Sequence, residues 1–342
     1  MIRKVLPAEW HPQSAVMLTW PHEYRWEEIL DEMDETFATI TAALVNYVDV
    51  IISANSELHL DHITELLTKK NISMQRVRIY QAANEDIWVR DYGPITIFED
   101  DQPALLKFPF TGWGDKYPAD QDDQLVLRLQ EQDVFGKTPL DEINFIFEGG
   151  GIESDGAGTI MLTRHWLSAR HPDLSEQQLE QKLKLYFGAE HILWLDHGYL
   201  AGDDTDSHID TLARFVDPKT IAYVRCDDPE DEHFAEFENM EHDLKNFKTA
   251  DGKEYQLIPL PWPKKIFSEE QQKRLPATYA NFLITNGAVL APVYGDSADK
   301  AAIQQLHIAF PQHKIVPINC RYIVEYYGSL HCATMQLPEG VL

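Results

Sequence analysis

Four residues suited to chemistry recur along this chain at nearly equal intervals. Asp91 stands in WVRDYGP, Glu148 in INFIFEGGG, His208 in TDSHIDTLARFV and Cys332 in GSLHCATMQLP. Glu148 follows Asp91 by 57 residues, His208 follows by 60 more, and Cys332 by a further 124, which is twice 62. A structural module of about 60 residues, repeated, places one such residue at the same point of each copy. A chain of 342 residues leaves room for five copies. Modules set around an axis bring equivalent strand ends together, so residues far apart in sequence can meet at one centre.

The rest of the chain reads as alternating strands and helices, the pattern of a mixed α/β fold. AVMLTW reads as a first strand ending at Pro21. Apolar residues then recur at three- and four-residue spacing from Arg25 to Val45 (Trp26, Ile29, Met33, Phe37, Ile40, Leu44), which predicts an amphipathic helix. VDVIIS, a helix over 57–69 and RVRIYQA follow. INFIFE predicts a strand that delivers Glu148 at its end, and Ser175 with Gln178 predicts a capping box at the head of a helix reaching Phe187. Asn286-Gly287 between NFLIT and AVLAPV predicts a hairpin. No linker or compositional break divides residues 1–342, so a single domain is expected.

Each chemical candidate has a plain alternative. A cysteine reacts as thiolate and wants histidine or another positive field beside it. Cys332, with His331 next to it, fits that or a buried structural role. In NEDIWVRDYGP, Asp86, Trp88 and Asp91 offer carboxylates and an aromatic wall for a flat cation; equally, Asp91 closes a turn and Trp88 fills the core. Gly149 to Gly151 let backbone approach Glu148, or make a hairpin; no Lys-Ser/Thr follows, so they are not a phosphate loop. His208 and Asp210 lie two apart and face one way on an extended segment, with Asp203, Asp204 and Asp206 upstream. Acids around a histidine stabilise its imidazolium, the direction a general acid needs.

Composition narrows the partners. With 29 basic against 56 acidic residues the formal net charge is −27, which repels nucleic acid and anionic membrane and draws in small cations. No run approaches the ~18 apolar residues of a membrane span. Three cysteines (Cys226, Cys320, Cys332) make neither a disulfide framework nor a zinc motif, which fits a reducing cytoplasm. A homodimer stays open as an assembly.

Five motifs in order resemble the agmatine deiminase and bacterial peptidylarginine deiminase family of guanidine-modifying enzymes. They are WVRDYGP (88–94), EGGGIESDG (148–156), TDSHIDTLARFV (205–216), YANFLITNGAVLAPVYGD (279–296) and GSLHCATMQLP (328–338). The resemblance implies a five-bladed, pseudo-fivefold α/β propeller (the pentein fold) of ββαβ-type modules, with the site on the axis. It implies Cys332 as nucleophile, His208 as general acid and base, and Asp91, Glu148 and Asp210 as carboxylates holding the guanidinium. A cysteine-bound amidino intermediate is then hydrolysed, with no metal or organic cofactor. The sequence departs from the family's usual GGGNIHC and RDTGP with GSLHC and RDYGP, which bears on the substrate tail. Asp86, Asp203, Asp204 and Asp206, with walls from Trp20, Trp88 and Trp113, suit an amine tail and hence agmatine. Free arginine and peptidylarginine are the alternatives. A cysteine hydrolase of amides is disfavoured, because clustered carboxylates repel a developing oxyanion. A non-catalytic binder of cationic metabolites is the reading from another class.

Overall fold

The computed structural model describes residues 3–23, 27–203, 205–268 and 272–342. Among these, five small sheets share one connectivity. In each, an inner strand runs antiparallel to a second strand, and the second runs parallel to a third after a helical crossover. Ile95–Glu99, Gln102–Lys107 and Leu140–Glu142 make one such unit, joined at its inner edge by Lys4–Val5. Glu153–Ser154, Thr159–Thr163 and His191–Leu195 make the next. Ala213–Asp217, Thr220–Arg225 and Gln256–Pro261 form another, and Leu283–Thr285, Ala288–Val293 and Lys314–Asn319 the one after it.

The remaining unit joins the two ends of the chain. Met335–Pro338 pairs antiparallel with Gln13–Thr19, Met335 opposite Met17, and Gln13–Thr19 runs parallel to Asp49–Ala54, which carries Val77–Gln81 outside it. Parallel neighbours need a crossover, and a helix supplies it here, Leu30–Leu44. That helix buries Met33, Phe37, Ile40 and Leu44, the stripe that its spacing predicts. Burying each such side chain contributes roughly 1.5–3 kcal/mol. The buried apolar residues of all five sheets form one contiguous cluster.

The inner strands position the site, because each is preceded by a residue with chemical potential. Asp91 precedes Ile95–Glu99, Glu148 precedes Glu153–Ser154, His208 and Asp210 precede Ala213–Asp217, Asn281 precedes Leu283–Thr285, and Cys332 precedes Met335–Pro338. The near-60-residue interval is thus the length of one strand–strand–helix–strand unit.

Local expectations fare unevenly. The capping box at Ser175 and Gln178 is present, and the 286–287 turn joins Thr285 to Ala288. The helix expected from Arg25 opens with the 3-10 turn Glu27–Ile29, and Trp26 lies outside the described residues. INFIFE is not a strand, since the ladder ends at Glu142. Its aromatic side chains are engaged elsewhere: Phe145 stacks on His171 at 3.9 Å, and Phe147 meets Trp166 edge-on at 5.0 Å. The alternation of apolar residues there marks aromatic packing.

Candidate active site

The glycine run after Phe147 folds as a single 3-10 turn, Gly149–Gly151, and its middle residue lets the site close. A Cβ on Gly150 would stand 2.7 Å from His208 Nδ1, 2.8 Å from Asp91 Oδ1 and 3.2 Å from Asp210 Oδ2. Three titratable side chains converge on a space that only a residue without a Cβ leaves open. The Gly150 amide donates to Asp91 Oδ1 at 2.9 Å.

Glu148 is wholly buried, with both oxygens committed. Oε1 accepts from Arg170 Nε at 2.6 Å, while Oε2 accepts from Arg170 Nη2 at 3.0 Å and Trp166 Nε1 at 2.7 Å. His208 Nε2 lies 2.7 Å from the same Oε2. Burial alone would raise the Glu148 pKa; the hydrogen bonds from His208 and Arg170 outweigh it and hold the group lowered. Glu148 is thus placed to orient the imidazole, and both oxygens are already engaged where the resemblance implies a hold on a guanidinium.

His208 points Nδ1 toward Asp91 Oδ1 at 3.5 Å. Burial depresses its pKa, but the carboxylates of Asp91, Glu148 and Asp210 together lift it to about 9. Asp91 is pushed up to about 6 by burial, with the His208 charge working against the rise. Its Oδ2 accepts from Trp113 Nε1 at 2.9 Å. Asp210 Oδ2 meets His331 Nδ1 at 2.7 Å and lies 3.6 Å from Cys332 Sγ. Burial would raise Asp210 as well, yet His331 outweighs it and the pKa is lowered. His208 Nδ1 and Asp210 Oδ1 are buried with no hydrogen-bond partner among the described residues, so both keep bonding capacity for a ligand.

Cys332 is held by Asn281, whose Oδ1 accepts from the amides of His331 at 2.8 Å and Cys332 at 3.2 Å, and whose Nδ2 lies 3.3 Å from Sγ. Burial first, then the Asp210 and Asp91 charges, push the thiol pKa well above its ordinary value, so the resting group is neutral. A cavity of about 480 Å³ opens onto Cys332 and Asp91, within the range of small-molecule sites. Trp88 and Trp113 wall it, and Asp86, Asp203 and Lys273 also line it. Gly328 is a glycine because the Trp88 ring lies 2.5 Å from where its Cβ would stand.

The sequence reading of the tail pocket needs correction at two positions. Trp20 is fully buried elsewhere, donating to Asp34 Oδ1 at 2.6 Å and packing edge-on to Phe37, and it does not line the cavity. Asp206 is spent on Arg170 Nη1 at 2.6 Å and Lys116 Nζ at 2.8 Å, so it braces the arginine behind Glu148. Asp204 lies outside the described residues. Three further residues were not singled out by sequence. Asn281 stands just before the inner strand Leu283–Thr285, as the other site residues stand before theirs, although it lies 73 residues after His208 and 51 before Cys332. Trp166 and Arg170 sit four apart on helix Arg164–Arg170 and so reach Glu148 from one face.

A mixed α/β scaffold of five like sheets, carrying a buried cysteine 3.6 Å from one carboxylate and a histidine 3.5 Å from another, has the side-chain set of a class of cysteine-dependent enzymes. The family model for Porphyromonas-type peptidyl-arginine deiminases matches residues 5–338, and the chain belongs to that family. A Vibrio parahaemolyticus protein, provisionally named an agmatine deiminase, is 32% identical over 97% of this chain and 96% of its own. A solved structure from Porphyromonas gingivalis, provisionally named an arginine deiminase, is 40% identical with a TM-score of 0.92, covering 99% of each chain. The C. jejuni agmatine deiminase with substrate bound is 35% identical with a TM-score of 0.90, covering 99% of this chain and 97% of that one. No helix among the described residues is long and apolar enough to cross a membrane.

Proposed function

We propose that the chain is an agmatine deiminase, hydrolysing a guanidinium to a ureido group and ammonia on five modules set as propeller blades about the site in one domain. The observation that carries this reading is the convergence of Asp91 and Asp210 near Cys332, since two carboxylates both orient a guanidinium and balance its charge. Burial first, and then the same charges, keep the thiol protonated in the free enzyme. A bound guanidinium cancels them, and Cys332 becomes a thiolate only when its target is in place. The sulfur attacks the central carbon, and His208 protonates the departing ammonia. Water deprotonated by His208 then hydrolyses the cysteine-bound amidino intermediate.

The amine tail is assigned to Asp86 and Asp203, both lining the cavity. Free arginine is the second reading, favoured by Lys273 at the same cavity, which offers a carboxylate a partner. The buried, unpaired Cys226, Cys320 and Cys332 support a cytoplasmic setting. Ammonia release from agmatine, free arginine and a blocked arginyl peptide, measured in parallel with Cys332→Ser as control, tests the reading. Turnover of agmatine alone supports it; turnover of arginine alone moves the tail to Lys273; silence on all three overturns it.

A further inference from the structure

Two neighbouring pairs of residues face opposite ways. Asp91 and Cys332 line the substrate cavity, while Arg90 and His331 line a second cavity of about 50 Å³ that shares no lining residue with the first. A water needs roughly 10–15 Å³ of such space, so this chamber holds a few. Arg90 Nη2, Thr96 Oγ1 and Gln336 Oε1 on its wall are buried without a hydrogen-bond partner among the described residues, which is the demand that ordered water meets. Glu9 also lines the chamber, its Oε2 lying 3.8 Å from Arg90 Nη2.

Short contacts join the two cavities. Cys332 Sγ lies 3.6 Å from Asp210 Oδ2, Asp210 Oδ2 is 2.7 Å from His331 Nδ1, and His331 Nε2 is 2.6 Å from Glu9 Oε2. Arg214 flanks the far end, donating to Glu9 Oε2 at 2.8 Å, lying 3.0 Å from His331 Nε2, and pairing with Glu153. A guanidinium among Glu9, Glu153 and His331 argues against a metal there, because the arginine already supplies the charge that balances the carboxylates. An imidazole with a carboxylate on each nitrogen can accept a proton at one and release one at the other.

We propose that Asp210, His331 and Glu9 form a proton relay that carries the Cys332 thiol proton to the wall of the rear chamber when substrate binds and returns it when product forms. This rests on the guanidinium reading, because it is a cation at the front that drives the proton rearward. The S–H bond breaks and its proton passes to Asp210 Oδ2 and on to His331 Nδ1. The proton stays on the imidazolium at the chamber wall; Glu9, whose pKa burial would raise but Arg214 and His331 hold far below its ordinary value, remains a carboxylate 2.6 Å from Nε2 and, with the chamber water, balances that charge. When the sulfur later leaves the product carbon, the reverse shift restores the thiol, so no proton is gained or lost over a cycle. His331 and Glu9 act through Asp210 and are positioning residues.

The test is stopped-flow ultraviolet absorbance of the thiolate on mixing with pentanamidine, a cation that mimics the reacting end, with Cys332→Ser as blank. Glu9→Gln should slow the signal by about tenfold or more, Glu9→Asp should restore it, and Thr96→Val, which removes only a chamber hydroxyl, should slow it less. An equal rate in wild type, Glu9→Gln and Thr96→Val overturns the relay and leaves the guanidinium reading standing. No signal in wild type overturns both. Should Glu9→Gln fail to fold, Thr96→Val decides, and an unchanged rate there sinks the relay.

Discussion

Glu148 Oε2 lies 2.7 Å from His208 Nε2, and this contact leaves Nδ1 as the nitrogen turned toward Asp91, with no hydrogen-bond partner among the described residues. One carboxylate therefore fixes which face of the imidazole takes part in chemistry. By holding the Nε2 proton, Glu148 stabilises the imidazolium whose other proton, on Nδ1, His208 would give to ammonia.

The pH profile follows from that arrangement. Asp91 must be a carboxylate to hold a cation, and its pKa is raised to about 6. His208 must carry its proton, and its pKa is raised to about 9. Agmatine kcat/KM should fall as pH drops through about 6 and fall again as pH rises through about 9. Glu148→Gln removes an influence that raises His208, so the alkaline limb should move to lower pH. A limb that stays in place would show that Glu148 does not tune the histidine.

Gly150→Ala is the sharpest probe of the convergence. Its Cβ would press on His208 Nδ1 and Asp91 Oδ1 at 2.7 and 2.8 Å, distances that force one of them away. Turnover should drop by about a hundredfold or more, since misplacement of about an ångström costs that much. Activity within a few-fold of wild type would mean the three groups need not meet.

The sequence revealed the skeleton of this site better than its bracing. Asp91, Glu148, His208 and Cys332 were legible because each module repeats a chain length, and a repeat survives whatever the side chains do. Asn281 was hidden although its motif was noticed, because an asparagine carries no charge and no reactive atom to draw attention. Trp20 and Asp206 were misassigned to the tail pocket for the opposite reason: their residue types suit a cation, but Asp34 and Arg170 had already claimed them. The side chain a carboxylate pairs with depends on tertiary placement, and local sequence does not state it. INFIFE misled likewise, since alternation records which residues are buried without recording whether a ladder partner exists.

Arg170 should matter to stability as well as to rate. Its side chain and that of Glu148 are 3% and 0% exposed, so Arg170→Met strips the buried carboxylate of its two-point cation and leaves His208 to balance it. Breaking a buried pair in this way costs about 3–5 kcal/mol, which thermal unfolding would register as a shift of several degrees. Arg170→Lys keeps the charge but loses the two-point grip, so it should recover most of the stability and only part of kcat. Equal melting temperatures in wild type and Arg170→Met would place the pair outside the stability balance.

Asn281 offers a test that needs no turnover. Among the influences on Cys332, burial, Asp210 and Asp91 raise the thiol pKa, whereas the Asn281 side chain lowers it. Asn281→Ala removes a donor 3.3 Å from Sγ and the acceptor for two backbone amides of the cysteine segment. Losing the donor disfavours the thiolate, so alkylation of Cys332 by iodoacetamide, followed by mass spectrometry, should slow. Asn281→Asp keeps an acceptor for the amides but sets a third negative charge beside the sulfur, so it should slow alkylation further than alanine does. The order wild type, alanine, aspartate separates the electrostatic role from the positional one. If aspartate reacts as fast as wild type, the residue only holds the loop, and the field at the sulfur is set by Asp91 and Asp210 alone.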